Sequence, residues 1–317
     1  MLPNASHLNA SSFHSTRSIG LSITSIVLTF TSTTGNSIVL VLIYQHRRLR
    51  TVSNLIVMNV CIADTLFAVL WFPMNAYYWS KATYPGDSLC SFIGVLGLLC
   101  SMVSIHTLVF VSIERFLATN FPLQHRGRFT MTCVKYGLAF IWICDIFLTT
   151  LPFVVAKYTY LEKFYHCVND WSENKASSFA YFTISYLLPF LVILFCNIYI
   201  LRAARRLGGG IHAVHVISAS TKNRAKNARI RHERWASFVV GTIISAFIIC
   251  WTPYTIAALC FQVKNCKLPK EFMAAAVMIA GVNGSCNPVI YGIMNKNFRI
   301  AFSSNLACKP RSGINNH

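Results

Sequence analysis

The sequence predicts an all-α membrane protein, a seven-transmembrane helix bundle followed by a short amphipathic eighth helix. Three observations carry that reading. Of the 317 residues, 55% are hydrophobic and 12% charged, the latter about half the charged share of an ordinary soluble chain. Seven stretches stay apolar long enough to cross a bilayer core of about 30 Å as helices. The lysines and arginines are segregated between alternate connections rather than scattered.

The apolar stretches run from Ile19 to Tyr44, Ser53 to Trp79, Leu89 to Asn120, Thr132 to Val155, Ser177 to Ala204, Trp235 to Gln262 and Phe272 to Met294. Residues 1–18 precede them as a polar N-terminal tail, residues 19–294 form the transmembrane domain, and residues 295–317 hold the amphipathic helix and a tail. The tail at the start lacks a basic stretch followed by an apolar core, so no cleavable signal peptide is read and the first apolar helix serves as the membrane signal. Only eight of the 28 lysines and arginines (Arg17, Lys81, Lys157, Lys163, Lys175, Lys264, Lys267 and Lys270) fall on the N-terminal side of the bundle. That asymmetry predicts an extracellular N-terminus in the plasma membrane and a cytoplasmic C-terminus. Asn4-Ala5-Ser6 and Asn9-Ala10-Ser11 are glycosylation acceptors consistent with it.

The third stretch organises the rest. From Cys90 it is uncharged for more than five helical turns until Glu114 and Arg115, and an arginine at a membrane boundary needs a partner or a route to water. The connection from Leu207 to Ile230 holds Gly208-Gly209-Gly210 and a basic run, and reads as a mobile loop drawn to anionic lipid. Beyond the seventh stretch, Phe298, Phe302 and Leu306 recur at helical spacing with Lys296 and Arg299 between them, the pattern of a helix lying in the membrane interface. Cys308 follows as a palmitoylation candidate or a plain thiol. The net charge of +19 comes without zinc-finger spacing or an RNA-binding signature, so no nucleic-acid partner is read.

Each stretch also carries a recognisable residue: Gly35-Asn36, Ala63-Asp64, Cys90 with Glu114-Arg115-Phe116, Trp142, Pro189, Phe247 with Cys250-Trp251-Thr252-Pro253, and Asn287-Pro288-Val289-Ile290-Tyr291. In that order they resemble the rhodopsin-like (class A) G-protein-coupled receptor family over nearly the whole chain. The resemblance implies an extracellular ligand, a heterotrimeric G protein and arrestin as partners, and a disulfide between Cys90 and Cys167. It places Glu114, Arg115, Phe116, Glu233, Phe247, Trp251, Pro253, Asn287, Pro288 and Tyr291 in G-protein coupling and switching. A pair between Arg115 and Glu233 would hold a closed state; an ordinary surface acid is the alternative for Glu233. Asp64 with Ser104, Asn283 and Asn287 implies a sodium pocket, the alternative being a protonated acid in a polar network. Pro253 and Pro288 each remove a backbone hydrogen bond and supply pivots.

The ligand pocket is expected around Gly97, Trp251, Tyr254 and Gly281. Gly97 stands where amine receptors carry an aspartate, which disfavours a monoamine, and Gly281 stands where opsins carry the Schiff-base lysine, which excludes retinal attached by that route. A small neutral ligand or a short peptide remains. Asn197 departs from the tyrosine usual in the family, which implies a differently wired switch. His106 and Asp145 are polar residues in apolar stretches that no family motif requires, read either as a pair or as separately satisfied groups. Cys260 and Cys266 are candidates for a second small disulfide loop. No set of nucleophile, base and oxyanion donors and no phosphate loop is present, so no enzyme is read. A seven-span transporter is the rival, and it lacks the internal repeat such folds carry.

Overall fold

The computed structural model describes residues 5–81, 83–121, 125, 127–152, 157–161, 166–170, 175–209, 221–262 and 268–306. Asn4, Cys266 and Cys308 lie outside the described residues, as do the side chains of Asn9, Glu233 and Leu306.

Among the described residues, seven helices are long and apolar enough to cross a membrane. Helix α1 spans Ala5–Gln45. Helix α2 covers Val52–Lys81, α3 Asp87–Asn120 and α4 Met131–Thr150. Helix α5 is built from Lys175–Phe182, Thr183–Leu187 and Leu188–Gly209. Helix α6 spans Thr221–Gln262, α7 Lys270–Met294 and α8 Lys296–Leu306. Helix α3 is central, packing against α2, α4, α5 and α6 and beneath a hairpin, while α1 closes the ring against α2 and α7. On α4, Tyr136, Phe140, Ile143 and Phe147 are all exposed; at spacings of three and four they form the apolar stripe that lipid covers.

Two helices extend beyond the apolar stretches read from the sequence. The span of α1 begins at Ile19 as expected, and its helix runs back to Ala5, because no glycine or proline interrupts the chain between them. Helix α6 starts at Thr221 rather than Trp235, so the basic run read as mobile loop is helical from there onward. It is rich in Lys, Arg and Ala, good helix formers with no breaker among them. Helix α4 is continuous to Thr150, and residues 153–156, where its end was expected, lie outside the described residues.

Strands were not expected, yet β1 (Lys157–Leu161) and β2 (His166–Asp170) pair as an antiparallel hairpin with Tyr160 opposite Cys167. The Cys90–Cys167 disulfide fastens that hairpin to the start of α3, with Cα atoms 5.3 Å apart. Cys260 is also disulfide-bonded, and Cys266, its expected partner, lies outside the described residues.

Prolines are accommodated in two ways. In α2 and α5 a widened turn precedes them: the Phe72 N–H bonds back five residues to Phe67 just before Pro73, and that of Leu188 to Thr183 just before Pro189. Each wide turn adds a residue and rotates everything beyond it. In α6 and α7, Pro253 and Pro288 sit inside continuous α-helix. The Pro288 ring explains Gly35, where a Cβ would lie 2.9 Å from that ring. Beside it, the Asn36 side chain donates to the Gly284 carbonyl at 2.9 Å, so the Gly-Asn pair clamps α1 onto α7.

Helix α8 docks on the bundle through part of its apolar face and leaves the rest open to the membrane interface. Phe298 and Ala301 are buried, with Phe298 stacked on Tyr291, while Phe302 is exposed. Asn305 donates to Gln45 at 2.7 Å, tying α8 to the end of α1, and this contact sets the rotation of the helix.

Candidate functional site

Three regions gather the residues singled out from sequence. The first is at the end of α3 opposite the disulfide. Glu114 is 1% exposed and Arg115 9%. Glu114 contacts the Arg115 Nε at 2.6 Å, an ionic contact too bent for a hydrogen bond, and meets His125 Nε2 at 2.7 Å through its other oxygen. The Arg115 guanidinium also donates to the Ser53 hydroxyl at the start of α2. The partner expected for Arg115 was Glu233; the contacts seen among the described residues are Glu114 and Ser53. Neither Ser53 nor His125 carried a sequence signal, since both reach the site only through the packing of α2 and of the connection after α3. Phe116 faces the other way, its ring 6.1 Å from that of Phe195 and 5.9 Å from that of Tyr199 on α5.

The second region is the polar centre. Asp64 accepts from Ser104 at 3.3 Å and from Asn287 at 2.9 Å. The side-chain oxygens of Asn283 and Asn287 are buried without a hydrogen-bond partner. Oxygen donors around one carboxylate, two of them unsatisfied, suit a hard monovalent cation, so these residues fit the sodium pocket. Asn59 links three helices, donating to Thr107 at 2.8 Å and accepting from the Trp142 indole at 2.9 Å. Asn197 is buried, with its side-chain oxygen unpartnered.

The third region is a cavity between the helices that opens beneath the hairpin. It encloses about 850 Å³ of empty space, its open mouth included. Gly97, Trp251, Tyr254 and Gly281 all line it, and so do Asp64, Ser104 and Asn283, so the expected ligand pocket and the polar centre are one continuous space. Trp251 stands 5.8 Å from both Phe247 and Tyr254 between ring centroids, joining the cavity wall to the buried core next to Pro253. Above, burial pushes the Tyr158 phenol up from its ordinary range, which keeps it a donor to the Thr149 carbonyl at 2.9 Å.

The sequence reading missed Trp71 and Phe72. A Cβ on Gly97 would sit 2.3 Å from the Trp71 indole nitrogen, and one on Gly281 would sit 2.5 Å from the Phe72 ring. The two glycines therefore mark space that rings from α2 already fill, and Pro73 was the one trace in the sequence of the wide turn that aims them there. Gly97→Ala is expected to cost about 2 kcal/mol of stability by overpacking. The cost should shrink in a Trp71→Phe background, because the pyrrole edge that meets the new methyl is gone; thermal unfolding of the four proteins of that cycle measures the coupling.

The 7 transmembrane receptor (rhodopsin family) profile matches residues 35–291. The chain is 26% identical over 304 residues to the octopamine receptor beta-2R of Chilo suppressalis, covering 86% of this chain and 76% of that one. It is 28% identical over 290 residues to a GQ-coupled rhodopsin of Mizuhopecten yessoensis, covering 87% of this chain and 58% of that one. Squid rhodopsin has a similar fold, with a TM-score of 0.78 at 22% identity over 94% of this chain and 89% of that structure. The chain belongs to the rhodopsin family of seven-transmembrane receptors and is a receptor, not an enzyme.

Proposed function

We propose that this receptor sits in the plasma membrane with its N-terminus outside, binds a small neutral molecule or short peptide in the cavity beneath the hairpin, and passes that event to a heterotrimeric G protein by outward movement of α6. The observation that carries the reading is the position of Trp251. It lines the cavity, packs on Phe247 in the core and lies two residues before Pro253. A ligand pressing on that indole acts on the helix where its backbone ladder is already broken. At the far end, Arg115 is held by Glu114 and Ser53. Release from those contacts would present its guanidinium to the G protein, and arrestin would compete for the same face.

Asp64, Ser104, Asn283 and Asn287 would hold a sodium ion, which supplies a positive charge opposite the buried carboxylate and favours the arrangement in which α2, α3 and α7 stay together. Those side chains position one another, with Asn287 adjoining Pro288 and Asp64 facing α3. The membrane-facing surface and the basic start of α6 contact lipid.

The test is a ligand screen in cells carrying several G-protein reporters, with Arg115→Ala beside the wild type. Ligand-dependent signal is expected to fall at least tenfold in the variant at equal surface expression. Equal signalling by the two proteins would overturn the role given to Arg115, and a ligand that acts with no reporter responding would overturn the coupling.

A further inference from the structure

Among the described residues lining the cavity, the only carboxyl or basic side chain is that of Asp64. It sits about two turns along α2 from Trp71, with both oxygens already accepting from Ser104 and Asn287. Of the other lining residues seven are aromatic, set among glycines, serines and small apolar side chains. Trp71 and Phe72 occupy the spaces beside Gly97 and Gly281, and Tyr254, which packs against all three buried clusters, faces them from α6 beside Trp251. One donor stands out: the Trp251 indole N–H is buried, with the residue 9% exposed, and has no hydrogen-bond partner. An indole N–H can only donate, so it calls for an acceptor.

Resting on the proposal that a ligand enters this cavity, we infer that the ligand is an uncharged, flat aromatic molecule carrying a carbonyl or similar acceptor that takes the Trp251 N–H. Rings stack on rings at little cost in ordering, and the glycines let the aromatic walls stand close to the α3 and α7 backbones. A peptide brings charged termini, and the aromatic part of the cavity offers them no counter-charge. An aromatic cage could attract a quaternary ammonium through the ring faces, but here the positive end of an N–H dipole lies in the same wall and opposes a cation.

The test uses the full chain in nanodiscs of phosphatidylcholine and three probes of one shape: acetylnaphthalene, ethylnaphthalene and naphthylmethyl-trimethylammonium. Saturable binding of tritiated acetylnaphthalene is measured with empty nanodiscs subtracted, the other two probes serving as competitors. The ketone is expected to bind about tenfold more tightly than the hydrocarbon, the difference one hydrogen bond makes, and the cation more weakly than both. Trp251→Phe should bring the ketone down to the level of the hydrocarbon and leave the hydrocarbon within about twofold. Tightest binding by the cation, no saturable ketone binding, or a ketone advantage that survives Trp251→Phe each overturns the inference. No G protein is present, so failure here is separate from failure of coupling.

Discussion

Cys90→Ser is expected to destabilise the receptor by about 4 kcal/mol. The bond it removes closes a chain separation of 77 residues, and the entropy withheld from the unfolded chain grows with the loop closed. More is lost than a crosslink. Cys167 lies on β2, and its carbonyl oxygen and the Tyr158 ring both crowd Gly94, where an added Cβ would lie 3.2 Å from the first and 2.5 Å from the second. The disulfide therefore presses the hairpin onto α3 at the cavity mouth. Thermal unfolding of purified protein in nanodiscs, with and without reductant, measures the loss. Reductant should lower the wild-type midpoint and barely move that of Cys90→Ser in which Cys260 has also been replaced by serine. A variant within about 1 kcal/mol of wild type would mean that packing alone seats the hairpin.

His106→Leu is expected to cost about 2 kcal/mol, the penalty of leaving a buried carboxyl group without its hydrogen-bond partner. His106 Nδ1 lies 2.7 Å from an oxygen of Asp145, and their side chains are 21% and 1% exposed. The second Asp145 oxygen is buried and unpartnered, so the histidine is the one side chain seen to compensate that carboxyl group. A neutral hydrogen bond between helices in a membrane is worth only about 0.6 kcal/mol, so most of the expected loss comes from the carboxyl group left behind. His106→Leu with Asp145→Leu should recover most of the stability, since an apolar pair leaves no carboxyl group stranded. A single variant as stable as wild type would show that the pair joins α3 to α4 without stabilising the fold.

Much of the site was legible in the sequence because its residues identify themselves one at a time. Asp64 is an acid in an apolar run, Pro253 and Pro288 break a backbone ladder, and Cys90 sits at the start of a span. What each residue touches was not legible. Arg115 is met by Ser53, 62 residues earlier in the chain, and by its neighbour Glu114. His106 and Asp145, open as a pair or as two separate groups, prove to be a pair because α3 and α4 cross at that level.

Seven spans, the places of their apolar cores and the prolines, acids and cysteines they carry could all be read along the chain, because length, hydropathy and side-chain chemistry are local properties. Packing settled that Gly35 receives the Pro288 ring and Gly97 the Trp71 ring, that a hairpin roofs the cavity and that α8 buries Phe298 while leaving Phe302 exposed. Those outcomes depend on rotations set by widened turns and helix crossings, which bring together atoms from parts of the chain that no local pattern connects.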